Sequence, residues 1–212
     1  MAVTDDWIMS NYYVNSERNG LSILMHEHGD KWEEIKDALG EFKLYHNDIV
    51  SPGGGKSPIT KRMERLFADT DWHPVEFQEL NTMKFGKHIG KKNEIIHDTR
   101  TLSSQTHEID LFKGKVAIEI EWNNKHQFFS RDLAAFDYLY SAKIIDVGII
   151  ITKDSRLRTL FESMGYLENG KKVSEKYGTT HTHTDKLELL LMANRYSCPL
   201  VVIGINQNVY VS

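Results

Sequence analysis

Two short runs late in the chain, residues 144–152 and 200–205, are almost continuously apolar and rich in β-branched side chains. Runs of that length and composition read as strands covered on both faces, and such strands need helices packed above and below them. The sequence supplies those helices. Residues 126–142 place Phe129, Leu133, Phe136 and Tyr140 on one stripe, residues 155–164 and the Leu-rich segment 185–194 follow, and residues 58–68 carry Ile59, Met63, Leu66 and Phe67 at helical spacing. Ser57 and Pro58 provide the last of these with an N-cap and a proline at its first position, while Lys61, Arg62 and Arg65 turn outward. Two further strands are expected at 107–112 and 115–122. The order strand, strand, helix, strand, helix, helix, strand predicts an α/β fold with a central mixed β-sheet flanked by helices.

The rest of the chain is less patterned. Residues 7–14 are aromatic and apolar and are expected to form a first strand, followed by helical patterns around 21–25 and 31–42. Residues 48–56, with Pro52 and three glycines, read as loop. Between Asn81 and Ser104 apolar periodicity nearly vanishes while Lys84, Lys87, His88, Lys91 and Lys92 crowd together, which predicts a basic loop or extended arm. With 212 residues the expectation is a single domain, 1–212, around one core.

Composition excludes some classes. No run approaches the roughly 18 apolar residues of a membrane span. Asp5 and Asp6 stand where a secretory leader carries basic residues, and the lone Cys198 fits a reducing compartment, so a cytoplasmic protein is expected. A net charge of −4 argues against a protein that coats nucleic acid without specificity, but not against a local basic cleft. Gly53-Gly54-Gly55-Lys56-Ser57 lacks the first glycine of a P-loop, because Val50 stands there, so no nucleotide cofactor is expected; the glycines would instead let backbone approach a phosphate. His181 and His183 alternate in an extended segment without a further Cys or His cluster, which makes zinc a poor reading.

The chemistry concentrates near mid-chain. Alternation along residues 115–122 puts Val116, Ile118, Ile120 and Trp122 on one face and Ala117, Glu119 and Glu121 on the other. With Lys113 and Gly114 as a two-residue turn, Asp110 falls opposite Ala117 and diagonal to Glu119, within about 7–8 Å, and Glu108 falls opposite Glu119. Like charges so crowded beside an apolar layer call for a cation between them or for retained protons. Mg²⁺ takes one or two carboxylates plus waters and phosphate oxygens, so Asp110 and Glu119 with the carbonyl of Ile120 suffice as ligands, and Glu121 is placed to orient or deprotonate a water. The bland alternative is a hairpin whose glutamates keep one side of the sheet wet.

Ile109-Asp110, eight intervening residues and Glu119-Ile120-Glu121 resemble the PD-(D/E)XK nuclease motif, with Glu where lysine is usual, as in the BamHI type; the BglII type carries Gln there. The longer block from Lys115 through Trp122, with Phe128, Asp132-Leu133 and Ile145-Asp-Val-Gly148, resembles the BglII and BstYI restriction endonucleases. Weaker similarity reaches Ser57-Pro58-Ile59 and residues 199–205. The resemblance thus covers most of residues 51–212 and least of residues 1–50, which are left for dimer contacts or recognition elements. It implies a restriction-endonuclease-like core and a homodimeric type II enzyme. Such an enzyme cuts double-stranded DNA at a short palindrome by Mg²⁺-dependent hydrolysis, leaving 5′-phosphate and 3′-hydroxyl ends, and a GATC-centred target is the expectation. Asp110 and Glu119 would then bind metal and Glu121 would stand in the lysine position.

DNA contacts are expected from Asn123, Asn124 and Lys125, which open the following helix, from Arg195 reading guanine, and from Lys84, Lys87, Lys91 and Lys92 on phosphates. Each has an ordinary structural alternative: a turn and cap, a helix C-terminal arginine, a solvated loop. Two competing functions remain beside the restriction enzyme, a repair or structure-specific nuclease of the same superfamily and a catalytically silent DNA-binding protein.

Overall fold

The computed structural model describes residues 3–52, 55–193 and 196–212. Its elements run α1 (Asp5–Asn11), β1 (Tyr12–Glu17), α2 (Gly20–Glu27), α3 (Gly29–Glu41), β2 (Leu44–Tyr45), α4 (His46–Val50), α5 (Pro58–Arg65), β3 (His73–Phe77), β4 (Leu80–Lys87), β5 (Ile95–Ser103), β6 (His107–Lys113), β7 (Val116–Glu121), α6 (Phe128–Ser141), β8 (Val147–Lys153), α7 (Leu157–Ser163), α8 (Val173–Lys176), α9 (Thr184–Ala193), β9 (Leu200–Ile205) and β10 (Tyr210–Val211). A six-stranded sheet has the order β1-β9-β8-β7-β6-β3. Its centre, β7-β8-β9, is parallel, and the flanking pairs are antiparallel, which makes it the mixed α/β sheet expected.

β8 and β9 are buried at every position, because both faces of the sheet are covered. On one side Ile118, Ile149, Ile151 and Val201 join Leu24, Trp32 and Ile35 from α2 and α3 in one apolar cluster. On the other, Ala117, Ile150 and Val202 meet Phe129, Leu133 and Phe136 of α6 and Leu187 of α9. Gly148 lets α6 come this close: a Cβ there would lie 2.4 Å from the Phe136 ring.

Several boundaries differ from those expected. Residues 7–14 are not a strand. Thr4 accepts the Trp7 N–H at 3.2 Å and Asp5 and Asp6 occupy the first turn, so capping and the helix dipole favour α1, and the strand β1 starts at Tyr12. Tyr140 leaves the buried stripe of α6, which ends instead at Leu139, three residues beyond Phe136. The loop expected at 48–56 begins with the last residues of α4. Of the segment 1–50, the described residues join the main core through Ile8, Tyr12, Leu24, Trp32 and Leu39.

The basic segment 81–104 is an arm, and it has regular structure. β4 and β5 pair only with each other, favoured by Thr82, Thr99, Thr101, Ile95 and Ile96, and the connection turns through positive φ at His88 and Gly90. Leu80, Met83, Phe85 and Leu102 stay exposed on it. No helix among the described residues is long and apolar enough to cross a membrane.

Candidate active site

The β6–β7 hairpin pairs Lys113 with Val116, so its turn is Gly114-Lys115, with Gly114 at φ +61°, and not Lys113-Gly114. The register is displaced by two residues from the expected one. A shift of two leaves every side chain on its face but brings Asp110 opposite Glu119 instead of Ala117, while Glu108 pairs with Glu76 of β3. The β6–β7 pairing ends at Leu111 and Ile118, and beyond it the Ile120 N–H donates to Asp110 Oδ2 at 2.9 Å. A strand residue sends its N–H and C=O to the same edge, so the Ile120 carbonyl faces that opening too, and Ile120 lines the cleft there.

Glu119 and Glu121 are each only 3% exposed, which rules out a wet side of the hairpin. Their carboxyls do not stand alone. Asp132 of α6, 1% exposed, is the acid that sequence reasoning missed. The four groups form two pairs within hydrogen-bonding reach, Asp110 with Glu119 and Glu121 with Asp132. Burial first, and then the charges of Asp132, Asp110 and Glu121, hold the Glu119 carboxyl well above the usual range. Burial and the Asp132 charge likewise push Glu121 up to about 8, against the opposing pull of the Asn124 amide and Arg131. Burial also raises Asp132, although its ion pair with Arg131 works the other way.

The neighbouring polar groups are arranged around Glu121. Asn124 donates to Glu121 Oε2, and the hydroxyls of Thr152 and Thr182 donate to the Glu121 carbonyl at 2.6 and 3.3 Å. Lys153 donates from Nζ to the Trp122 carbonyl at 3.2 Å and to that of Thr182, and burial lowers its pKa to about 7. These bonds tie the C-terminal end of β7 to β8 and to the segment carrying His181 and His183. That segment is structural: residues 124 and 126 exchange backbone hydrogen bonds with Thr182 and Thr180, and Lys125 bridges to His181.

The site opens into a cleft of about 590 Å³ lined by Asp110, Glu119, Glu121, Lys56, Arg131 and Asn124, among others. Lys56 lies 3.9 Å from Asp110 Oδ1 and also pairs with Glu64. Asp132 Oδ2 is buried without a hydrogen-bond partner. Four carboxyls whose crowding and burial favour retained protons stand beside open space, and hard oxygen donors that can trade those protons for a cation fit a divalent ion such as Mg²⁺ that keeps part of its water shell. The donors are less tightly gathered than Glu27, His28 and Asp146, whose ligand atoms lie within 4.8 Å of one another. In that group Asp146 already has close partners, His28 Nε2 and Lys115 Nζ, each at 3.2 Å.

The expected DNA-contact residues are dispersed. Asn123 and Asn124 line the cleft, although α6 starts only at Phe128 and they lie in the bend before it. Lys125 is exposed. Lys84, Lys87, Lys91 and Lys92 stand on the arm, with Lys84 3.5 Å from Glu94. Arg195 lies outside the described residues. The signal for Asp132 was present in the sequence: it is an acidic residue on the apolar stripe of α6, beside Phe129, Leu133 and Phe136, and a buried charge there needs a reason.

No curated protein matches the chain. A family model described as restriction endonuclease BglII/BglIII matches residues 12–205, from the first residue of β1 to the last of β9. The match takes in the hairpin with its acids, the helix that adds Asp132 and all the strands of the main sheet. The chain therefore belongs to the BglII/BglIII restriction endonuclease family and is a type II restriction endonuclease, a hydrolase of DNA phosphodiester bonds.

Proposed function

We propose that this enzyme works as a homodimer and cuts double-stranded DNA at one short palindrome, with a GATC-centred sequence as its target. Cleavage is by Mg²⁺-dependent hydrolysis to 5′-phosphate and 3′-hydroxyl ends. The observation that carries this reading is the convergence of Asp110, Glu119 and Glu121 in an open cleft at the point where the β6–β7 pairing ends. Asp110, Glu119 and the Ile120 carbonyl are the ligands, and the ion they hold supplies positive charge against the scissile phosphate and a more acidic water.

The remaining steps belong to side chains of the chain. Glu121, buried beside the two acidic ligands at the cleft, accepts a proton from the attacking water. The Asn124 amide fixes its Oε2 and leaves Oε1 for that task. Lys84, Lys87, Lys91 and Lys92 follow the phosphate backbone from the arm, Asn123, Asn124 and Lys125 contact the DNA close to the cut, and Arg195 reads guanine. Two copies related by a two-fold axis bring one such site to each strand of a palindrome.

Digestion of a plasmid of known sequence, in Mg²⁺ and in EDTA, followed by sequencing of the ends, tests the reading. Discrete fragments bounded by one palindrome, 5′-phosphorylated and formed only with Mg²⁺, are expected. Nicks confined to mismatches or junctions, or cleavage indifferent to EDTA, would overturn it.

A further inference from the structure

Arg131, at the first turn of α6, lies among the buried acids, and it is held unusually well for a residue with a half-exposed side chain. Its Nε and Nη2 both donate to Asp132 Oδ1, at 3.0 and 2.9 Å. Its guanidinium lies over the Phe128 ring at 4.6 Å from the centroid, and Nη2 is 3.8 Å from Glu121 Oε1. Asp132 cannot move to follow it, being 1% exposed and fixed in the sheet-facing stripe of α6. One edge and one face of the guanidinium are thus committed to the protein, and among the described residues Nη1 has no protein acceptor.

A pairing with Asp132 alone would not require Arg131 to line the cleft, and it does line it, beside Glu119 and Glu121. A planar guanidinium with a free donor, fixed at the wall of a DNA-hydrolysing site, suits one ligand chemistry above others, the non-bridging oxygen of a phosphodiester. Its position within 4 Å of the carboxylate assigned to the attacking water puts it at the phosphate being cut and not at a remote one.

We propose that Arg131 is a catalytic residue that contacts the scissile phosphate, and that Asp132 is the positioning residue that aims it. This rests on the reading of the cleft as the site of hydrolysis. The acid costs the site an additional buried negative charge. In return the arginine is organised before DNA arrives, so its donor needs no reordering as charge builds on the phosphate. Replacing Arg131 by lysine would keep the charge but lose the fork and the stacking.

The test is a thermodynamic cycle on binding, measured in EDTA so that no turnover intervenes. A duplex with the mapped target is compared with one carrying an uncharged methylphosphonate at the cut position, for the wild-type enzyme and for Arg131→Gln and Asp132→Asn. For the wild type, removing the phosphate charge should lower affinity about tenfold or more. For Arg131→Gln the two duplexes should bind within about twofold of each other, and Asp132→Asn should give an intermediate penalty. Arg131→Lys should fail to restore the wild-type cleavage rate while its affinity for the unmodified duplex stays within a few-fold. Circular dichroism and the melting temperature check that each variant is folded, and Arg131→Lys serves as the independent arm if Asp132→Asn is not. A wild-type penalty retained in Arg131→Gln would overturn this inference and leave the nuclease reading intact. Failure to find any Mg²⁺-dependent cut to map would sink both.

Discussion

Asp110 takes the place of a backbone acceptor for Ile120: its Oδ2 receives the Ile120 N–H at 2.9 Å, just beyond the last Leu111–Ile118 pair of the hairpin. The bond has two effects. It satisfies a buried donor that the diverging strand has abandoned, and it leaves Asp110 Oδ1 toward Lys56, with Glu119 within hydrogen-bonding reach of the same carboxyl. A stability feature of the sheet and the placement of the first acid of the site are one arrangement.

The buried acids make stability depend on pH in the sense opposite to ordinary carboxylates. Between 4.5 and about 8, folded Glu121 binds more protons than the unfolded chain, so its contribution is present at low pH and is lost as pH rises through about 8. Glu121→Gln cannot ionise. In the metal-free protein it should melt roughly 5–10 °C higher than wild type at pH 8.5, corresponding to about 2–4 kcal/mol, and within about 2 °C at pH 5. Lys153, whose depressed value of about 7 makes stability rise with pH from there to 10.5, is present in both proteins, and loss of the Glu121 charge only lowers it further, so at pH 8.5 it is mostly uncharged in either. Equal melting at pH 8.5 would show that Glu121 carries no such strain.

The arm predicts a change in salt dependence. Replacing Lys84, Lys87, Lys91 and Lys92 together by Gln should weaken binding to any duplex at least tenfold near 100 mM salt. It should also reduce the slope of log affinity against log salt by about 3–4, with little change in the rate of cleavage at saturating DNA. Fluorescence anisotropy across a salt series measures this, and an unchanged slope would place the DNA away from the arm.

Packing predicts a position that tolerates no methyl group. Gly148→Ala drives a Cβ against the Phe136 ring of α6, and because that ring is fully buried the helix must shift. A loss of about 1–3 kcal/mol in urea unfolding is expected. Since α6 also carries Arg131 and Asp132, cleavage should fall more than stability alone explains.

Much of this was legible from the amino-acid pattern, for identifiable reasons. The runs containing β8 and β9 announce a sheet covered on both sides, because no polar residue interrupts them. The alternation in β7 separates Glu119 and Glu121 from Ile118 and Ile120 whatever the register. The turn was misplaced by one residue because Gly114 satisfies a turn at either setting, and only the pairing with Lys113 decides. The helix α1 was hidden because its aromatic and apolar residues also suit a strand, and the Thr4 cap acts on geometry that periodicity does not encode. Asp132 stands in the longer block of resemblance and Arg131 beside it, yet neither receives a role from the sequence, since that role depends on how α6 crosses β7, which is a tertiary fact. The arm looked featureless because its apolar residues face solvent on both sides of a two-stranded ribbon, and so follow no buried stripe.

The proposed hydrolysis requires above all that Glu119 act as a metal-holding acid in the cleft. The direct measurement is single-turnover cleavage of the mapped duplex in Mg²⁺ by Glu119→Ala, alongside its affinity for the same duplex. Cleavage should drop by on the order of 10³-fold or more while specific binding stays within about tenfold of wild type. Cleavage within a few-fold of wild type by a folded Glu119→Ala enzyme would show that Glu119 holds no essential metal.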